Sequence, residues 1–203
     1  TIRMLFSLAV AKGATVWIWD LPQAFTSAPT DRYRYMRSEF DGREYDENGV
    51  EIVYRVANLY GGRTIGRNYQ DYYNGKMRRL GFNQSHADPA SWYRPAGPSA
   101  DGEHQLEEIW LAVYIDDCLW ATNCDQTAAW LADELKTEWD KDGTAPPAKV
   151  CDFALGINVA QTPGRTVLSS GAYIDKMVDE FADDIEHGYS TPLPPGTNVG
   201  FAE

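Results

Sequence analysis

Three cysteines in 203 residues leave little room for sulfur chemistry. Cys118, Cys124 and Cys151 cannot all pair, none stands in a CxxC spacing, and no histidine follows at zinc spacing. This excludes a disulfide framework and points to reduced, mostly buried thiols. Long apolar runs are missing too: none reaches the roughly 18 residues of a membrane span. No basic stretch followed by an apolar run and a cleavage site opens the sequence. A soluble, unsecreted protein with no membrane partner is expected. Basic residues are outnumbered, 18 against 30, giving a net charge of -12. On its own that argues against a nucleic-acid binder, which normally presents a basic face. A starting Met is also lacking, and the last residues carry no evident stop signal, so an excised piece of a longer chain is expected.

Charge distribution qualifies the total. Residues 55–95 hold seven basic side chains (Arg55, Arg63, Arg67, Lys76, Arg78, Arg79, Arg94) against two acidic ones (Asp71, Asp88), a local +5. Such a segment can track a phosphate backbone, and it can equally be a solvated helix face. With 43 % apolar and 13 % aromatic residues, the chain can bury a proper core.

The elements follow from periodicity. Residues 3–12 are strong helix formers, with Gly13 as C-cap. Residues 14–21 alternate, with Val16, Ile18 and Asp20 on one face and Trp17 and Trp19 on the other, so a central strand ends in a carboxylate. Residues 31–53 suggest short strands around an Asn48-Gly49 turn. A helix is expected over 67–80, with Tyr69, Tyr73, Met77 and Leu80 on one stripe. Residues 91–94 suggest a strand and 95–105 a loop. The clearest hairpin spans 109–122, two apolar arms flanking Asp116-Asp117. A helix over 126–139, capped by Asp125 or Asn123, buries Trp130, Leu131, Leu135 and Trp139. Residues 153–159 and 166–168 suggest paired strands, and 173–181 a short amphipathic helix. Interspersed helices and antiparallel hairpins give an α+β class.

Asp-Asp pairs are common and mostly solvated, as Asp183-Asp184 is expected to be. The pair at 116–117 differs because it interrupts an apolar hairpin. Two like charges there repel, and no lysine or arginine lies near in sequence, so a divalent cation is the natural compensation. Asp20, ending an apolar strand, has the same character, although a strand-end turn former fits it too. If that strand pairs beside the hairpin, Asp20 comes near Asp116. Oxygen-only ligands favour Mg2+, or Mn2+, over zinc. Two such ions about 4 Å apart clamp the oxygens of an in-line phosphoryl displacement.

At these residues the chain resembles the reverse transcriptases of copia-type LTR retrotransposons. Asp20-Leu21-Pro22-Gln23-Ala24-Phe25 resembles the family's first palm motif, and Tyr35-Met36 the short strand after it. Leu59-Tyr60-Gly61 resembles the start of the second motif. Gly81-Phe82, Ser85, Asp88-Pro89 and Trp92 resemble a segment that follows. Tyr114-Ile115-Asp116-Asp117 is the YxDD box, Phe153-Ala154-Leu155-Gly156-Ile157 resembles the FLGIE strand, and Tyr173-Ile174 and Thr191-Pro192-Leu193 resemble elements near the domain's end. The order matches over nearly the whole chain.

The resemblance implies an RNA-directed DNA polymerase, part of a Pol polyprotein, that adds dNTPs to a primer 3′-OH. It implies a polymerase palm, an antiparallel sheet with helices packed on one face, with truncated fingers and only the start of the thumb. Residues 1–185 would be this core and 186–203 an extended tail. Asp20, Asp116 and Asp117 would be catalytic, holding two Mg2+ ions together with the Leu21 carbonyl. Phe25 would pack under the sugar and exclude a ribose 2′-OH, although an ordinary core aromatic fits the position as well. Tyr60, Gly61, Arg63, Arg67 and Tyr114 would complete the nucleotide and template sites. Implied partners are an RNA or DNA template with primer, dNTP, and the fingers, thumb, RNase H and integrase of the polyprotein. Implied surroundings are the cytoplasm, inside a virus-like particle, or the nucleus. The chain departs from the second motif over Arg63-Thr64-Ile65-Gly66-Arg67-Asn68-Tyr69, where the family's Gln and Pro are replaced. This favours the rival reading, an inactive or co-opted retroelement remnant that keeps the fold.

Overall fold

Alternating apolar residues at 15–20 and 109–122 build the centre of the structure, a computed structural model that describes residues 1–22, 24–29, 34–37, 45–56 and 65–181. For residues 25, 26, 34–37 and 54–56 it describes the backbone alone. In chain order the elements are α1 (Ile2–Lys12), β1 (Thr15–Asp20), α2 (Ala24–Ser27), β2 (Arg34–Arg37), β3 (Val53–Val56), α3 (Ile65–Arg79), β4 (Asn83–Gln84) and β5 (Ser91–Arg94). Then come β6 (Gly97–Pro98), β7 (Gln105–Leu106), β8 (Ile109–Tyr114), β9 (Asp117–Thr122), α4 (Asp125–Trp139) and β10 (Lys149–Val150). The last four are β11 (Phe153–Ala154), β12 (Ile157–Thr162), β13 (Arg165–Ser169) and α5 (Gly171–Glu180).

The principal sheet has the order β10-β1-β9-β8-β5-β4, and every pairing in it is antiparallel. Mixed helices and antiparallel strands make the class α+β. Successive strand residues point to opposite faces, and here both faces are covered. On one side Trp19, Trp92, Leu111, Cys118 and Trp120 pack against Tyr69, Tyr73 and Met77 of α3 and against Trp130, Leu131, Leu135 and Trp139 of α4. On the other, Val16, Ile18, Ala112, Leu119 and Ala121 meet Leu5, Phe6 and Ala9 of α1, with Ala154 and Val159 from the smaller sheet β11-β12-β13. The expectation of helices on one face therefore holds for α3 and α4, while α1 takes the opposite face. The reason is legible in β1 itself, whose two faces are both too apolar to leave one in water.

Several local expectations are revised. Residues 153–159 are not one strand: Leu155 and Gly156, with φ of 49° and 76°, form the tight turn between β11 and β12. Helix α4 is capped by neither Asp125 nor Asn123: it starts at Asp125, with Cys124 in the N-cap position and no side-chain capping bond. The loop over 95–105 carries the short β6-β7 pair. The stretch Ser85 to Pro89 is turn chemistry joining β4 to β5. Ser85 Oγ accepts the amides of Ala87 and Asp88, and Asp88 Oδ1 accepts that of Ala90 at 2.9 Å. Among the described residues no helix is long and apolar enough to cross a membrane. The tail over 186–203, Asp183-Asp184 and Thr191-Pro192-Leu193 lie outside the described residues.

Candidate active site

β1 and β9 run antiparallel with Asp20 opposite Asp117, and Asp117 in turn faces Tyr114 across the β8-β9 hairpin. Cross-strand partners project to the same face with Cβ atoms about 4.5–5.5 Å apart. Asp20 and Asp117 therefore continue the column of Val16, Ile18, Leu119 and Ala121 on the α1 side of the sheet, where the apolar residues run out. The alternation that buries Val16 and Ile18 is what brings the two carboxylates side by side.

Asp116 sits in the turn. Only Ile115 and Asp116 separate β8 from β9, and Ile115 takes the left-handed φ of 57°. The carbonyls of both turn residues are engaged. That of Asp116 accepts the Leu21 N–H at 2.7 Å. That of Ile115 accepts the Tyr69 hydroxyl at 3.0 Å. The first of these extends the β1-β9 ladder one step past Asp20 and ties the turn to the segment that follows β1.

Electrostatics register the crowding. Burial raises the Asp20 carboxyl above the usual carboxylate range, and the charge of Asp116 raises it further. Burial likewise raises Asp117, followed by the charges of Asp116 and Asp20. Among the described residues none of the three forms an ion pair. Nor, among those residues, do three His, Cys, Asp or Glu side chains converge as a ready-made metal cluster. The carboxylates are thus neighbours in the ladder without closing on a common point. With no side-chain cation paired to them among the described residues, three oxygen-bearing anions are a donor type suited to a hard divalent ion. The apolar cavity of about 280 Å3 between α1 and the outer strands, lined by Met4, Leu8, Trp92 and Trp110, includes none of them.

The remaining expected site residues divide. The Leu21 side chain is buried at the end of β1, and its amide serves the turn. Tyr114 is exposed beside Asp117. Arg67 is exposed on the first turns of α3, 3.9 Å from Asp71. The backbone of Phe25 lies in α2, but its side chain is outside the described residues, as are Tyr60, Gly61 and Arg63 entirely. Two residues that periodicity assigns only to the core also reach the hairpin. Tyr69 bonds its tip, and the Tyr73 hydroxyl lies 3.8 Å from Cys118 Sγ. Burial pushes the Cys118 thiol up to about 12, so it is a protonated packing group and not a nucleophile.

A family model described as reverse transcriptase (RNA-dependent DNA polymerase) matches residues 1–195. Among curated proteins, none matches the chain.

Proposed function

The chain belongs to the reverse transcriptase (RNA-dependent DNA polymerase) family, and on that premise we propose that residues 1–185 are the palm core of a copia-type retrotransposon polymerase. The family implies nucleotidyl transfer, with a nucleic-acid template and dNTP as ligands. One observation carries the finer reading: Asp20 and Asp117 stand in register at adjoining strand ends, with Asp116 in the turn beside them.

In this reading Asp20 and Asp116 hold two Mg2+ ions, or Mn2+, with Asp117 and the Leu21 carbonyl in support. The ions, when bound, supply charge neutralisation at the triphosphate and activation of the primer 3′-OH. The protein's own part is placement. The sheet sets Asp20 against Asp117, and the bonded turn fixes Asp116 relative to both. Tyr114, exposed next to Asp117, offers a ring for the primer end or the incoming sugar. Arg67 and the basic side of α3 face the phosphates of the template. Phe25, Tyr60, Gly61 and Arg63 complete the nucleotide site. The surroundings are a virus-like particle in the cytoplasm, or the nucleus, with the remaining Pol segments as partners.

Primer extension on an RNA template with Mg2+ tests the proposal. Template-dependent synthesis is expected, falling more than about 100-fold in Asp116→Asn. Synthesis unchanged by that substitution removes the two-metal role. The altered stretch from Arg63 to Tyr69 favours a second reading, a remnant that keeps the palm without turnover. Absence of synthesis once the chain sits in its parent polyprotein selects that reading.

A further inference from the structure

We infer that Tyr69 is a positioning residue for the Asp116 turn, a role that rests on the two-metal reading above. A two-residue hairpin turn with positive φ at its first position alone is the type II′ pattern, which normally places glycine there. Here that position holds Ile115, and Leu155 is the only other described non-glycine residue with positive φ. A β-branched residue in this region is a conformational outlier that persists only when its surroundings impose it. The Ile115 side chain is 46 % exposed, so packing restrains it far less than it would a buried side chain.

The restraint comes from the backbone. The turn has two carbonyls, and each accepts one bond, from the Leu21 amide at Asp116 and from the Tyr69 hydroxyl at Ile115. The first arises from the strand ladder. The second requires a side chain to cross from α3. Tyr69 is 5 % exposed, and its ring lies 6.1 Å from that of Tyr73, which is itself fully buried and touches Cys118. The donor is therefore delivered from a fixed platform. Tyr69 orients the peptide between Ile115 and Asp116, and so the direction in which the Asp116 carboxylate leaves the turn.

An ordinary core tyrosine whose hydroxyl happens to find an acceptor predicts something different, and Tyr69→Phe separates the two. The substitution keeps the ring and its packing. With positioning, Mn2+ affinity measured by electron paramagnetic resonance falls about tenfold, and kcat falls by a similar factor with little change in KM for dNTP. Exchange of the Leu21 amide, measured by NMR without metal, quickens about tenfold, because the turn that accepts its bond loosens. Replacing Ile115 with glycine, which adopts positive φ without strain, restores most of the lost Mn2+ affinity in the Tyr69→Phe background. Wild-type Mn2+ affinity and wild-type Leu21 exchange in Tyr69→Phe overturn the inference. If the unaltered chain binds no Mn2+, the two-metal reading fails, while the exchange rate still decides whether Tyr69 holds the turn.

Discussion

Asp117 is folded at a cost that its neighbours set. Burial and the charges of Asp116 and Asp20 both hold its carboxyl above the ordinary value of 3.8, and Asp20 is raised as well. A raised acid binds its proton more tightly in the folded chain than in the unfolded one. Folding stability therefore declines as pH rises from the unfolded value through the folded one, and the penalty is absent below about pH 3.8. Asp117→Asn should raise Tm at pH 7. The residue is only partly buried, so solvent screening limits the gain to about 0.5 kcal/mol, roughly 1–2 °C for a chain of this size. Thermal melts at pH 7 and near pH 3.5 check this, the difference between variant and parent disappearing at the lower value. A gain of equal size at both would mean that charge is not the cause. Asp20 and the pair at 116–117 are readable in sequence because the first ends an apolar alternation and the second interrupts an apolar hairpin, and an anion in either place needs a reason. Tyr69 was not readable in the same way. Its place on the helical stripe predicts burial and says nothing of where a hydroxyl at the ring's far end will find an acceptor.

At the scale of elements, α3 and the hairpins divide the work. Helix α3 presses Tyr69, Tyr73 and Met77 onto the sheet beneath the β8-β9 hairpin, and Met77 is completely enclosed. Met77→Ala should cost about 2–5 kcal/mol, measured by denaturant unfolding, because it opens a cavity in the buried cluster that α3 forms with the sheet and α4. The β11-β12 turn gives the opposite sign. Positive φ at both Leu155 and Gly156 is the type I′ pattern, which favours asparagine before glycine. Leu155→Asn should stabilise by about 0.5–1 kcal/mol, since the side chain is substantially exposed and little apolar burial is lost. A loss of stability would show that the leucine's packing outweighs its backbone strain. The same position explains why the segment Phe153 to Ile157 reads as a strand in sequence. Leucine at the first turn position hides the signal that an Asn-Gly pair gives openly, and the apolar run continues across the bend. Helices α3 and α4 are legible because their apolar residues recur over about four turns, and α1 because its residues are strong helix formers ending at Gly13. The position of α1 on the far side of the sheet is a tertiary matter, foreshadowed only by the apolar character of both faces of β1.

For the molecule as a whole, the conflict is between a net charge of -12 and a family that handles nucleic acid. The +5 of residues 55–95 resolves it only if those charges share a surface and are free to meet phosphates. On α3, Arg67, Arg78 and Arg79 are exposed, whereas Lys76 is committed to Glu138 of α4. Arg94 is committed too, buried with its guanidinium donating to the carbonyls of Leu80, Pro95 and Pro98. Sequence counts these five cations alike, and only packing tells the three that stay exposed from the two already engaged; of the three, Arg67 lies 3.9 Å from Asp71 and Arg78 donates to Gln84 at the surface. The side chains of Arg55 and Arg63 lie outside the described residues; among those described the acidic remainder repels phosphate, so binding there should be confined to the α3 side and should use few contacts. Each phosphate neutralised on a single strand contributes about -0.7 to the slope of log K against log salt. Three arginines thus predict a slope near -2 for single-stranded RNA. Changing Arg67, Arg78 and Arg79 together to glutamine should flatten that slope by about 2 while leaving the folding free energy within about 1 kcal/mol of the parent, because exposed charges contribute little to stability. A fluorescence titration over 50–200 mM salt measures it. A slope that survives the triple substitution would place the phosphate contacts away from α3 and would leave the local excess of positive charge as a solvated helix face.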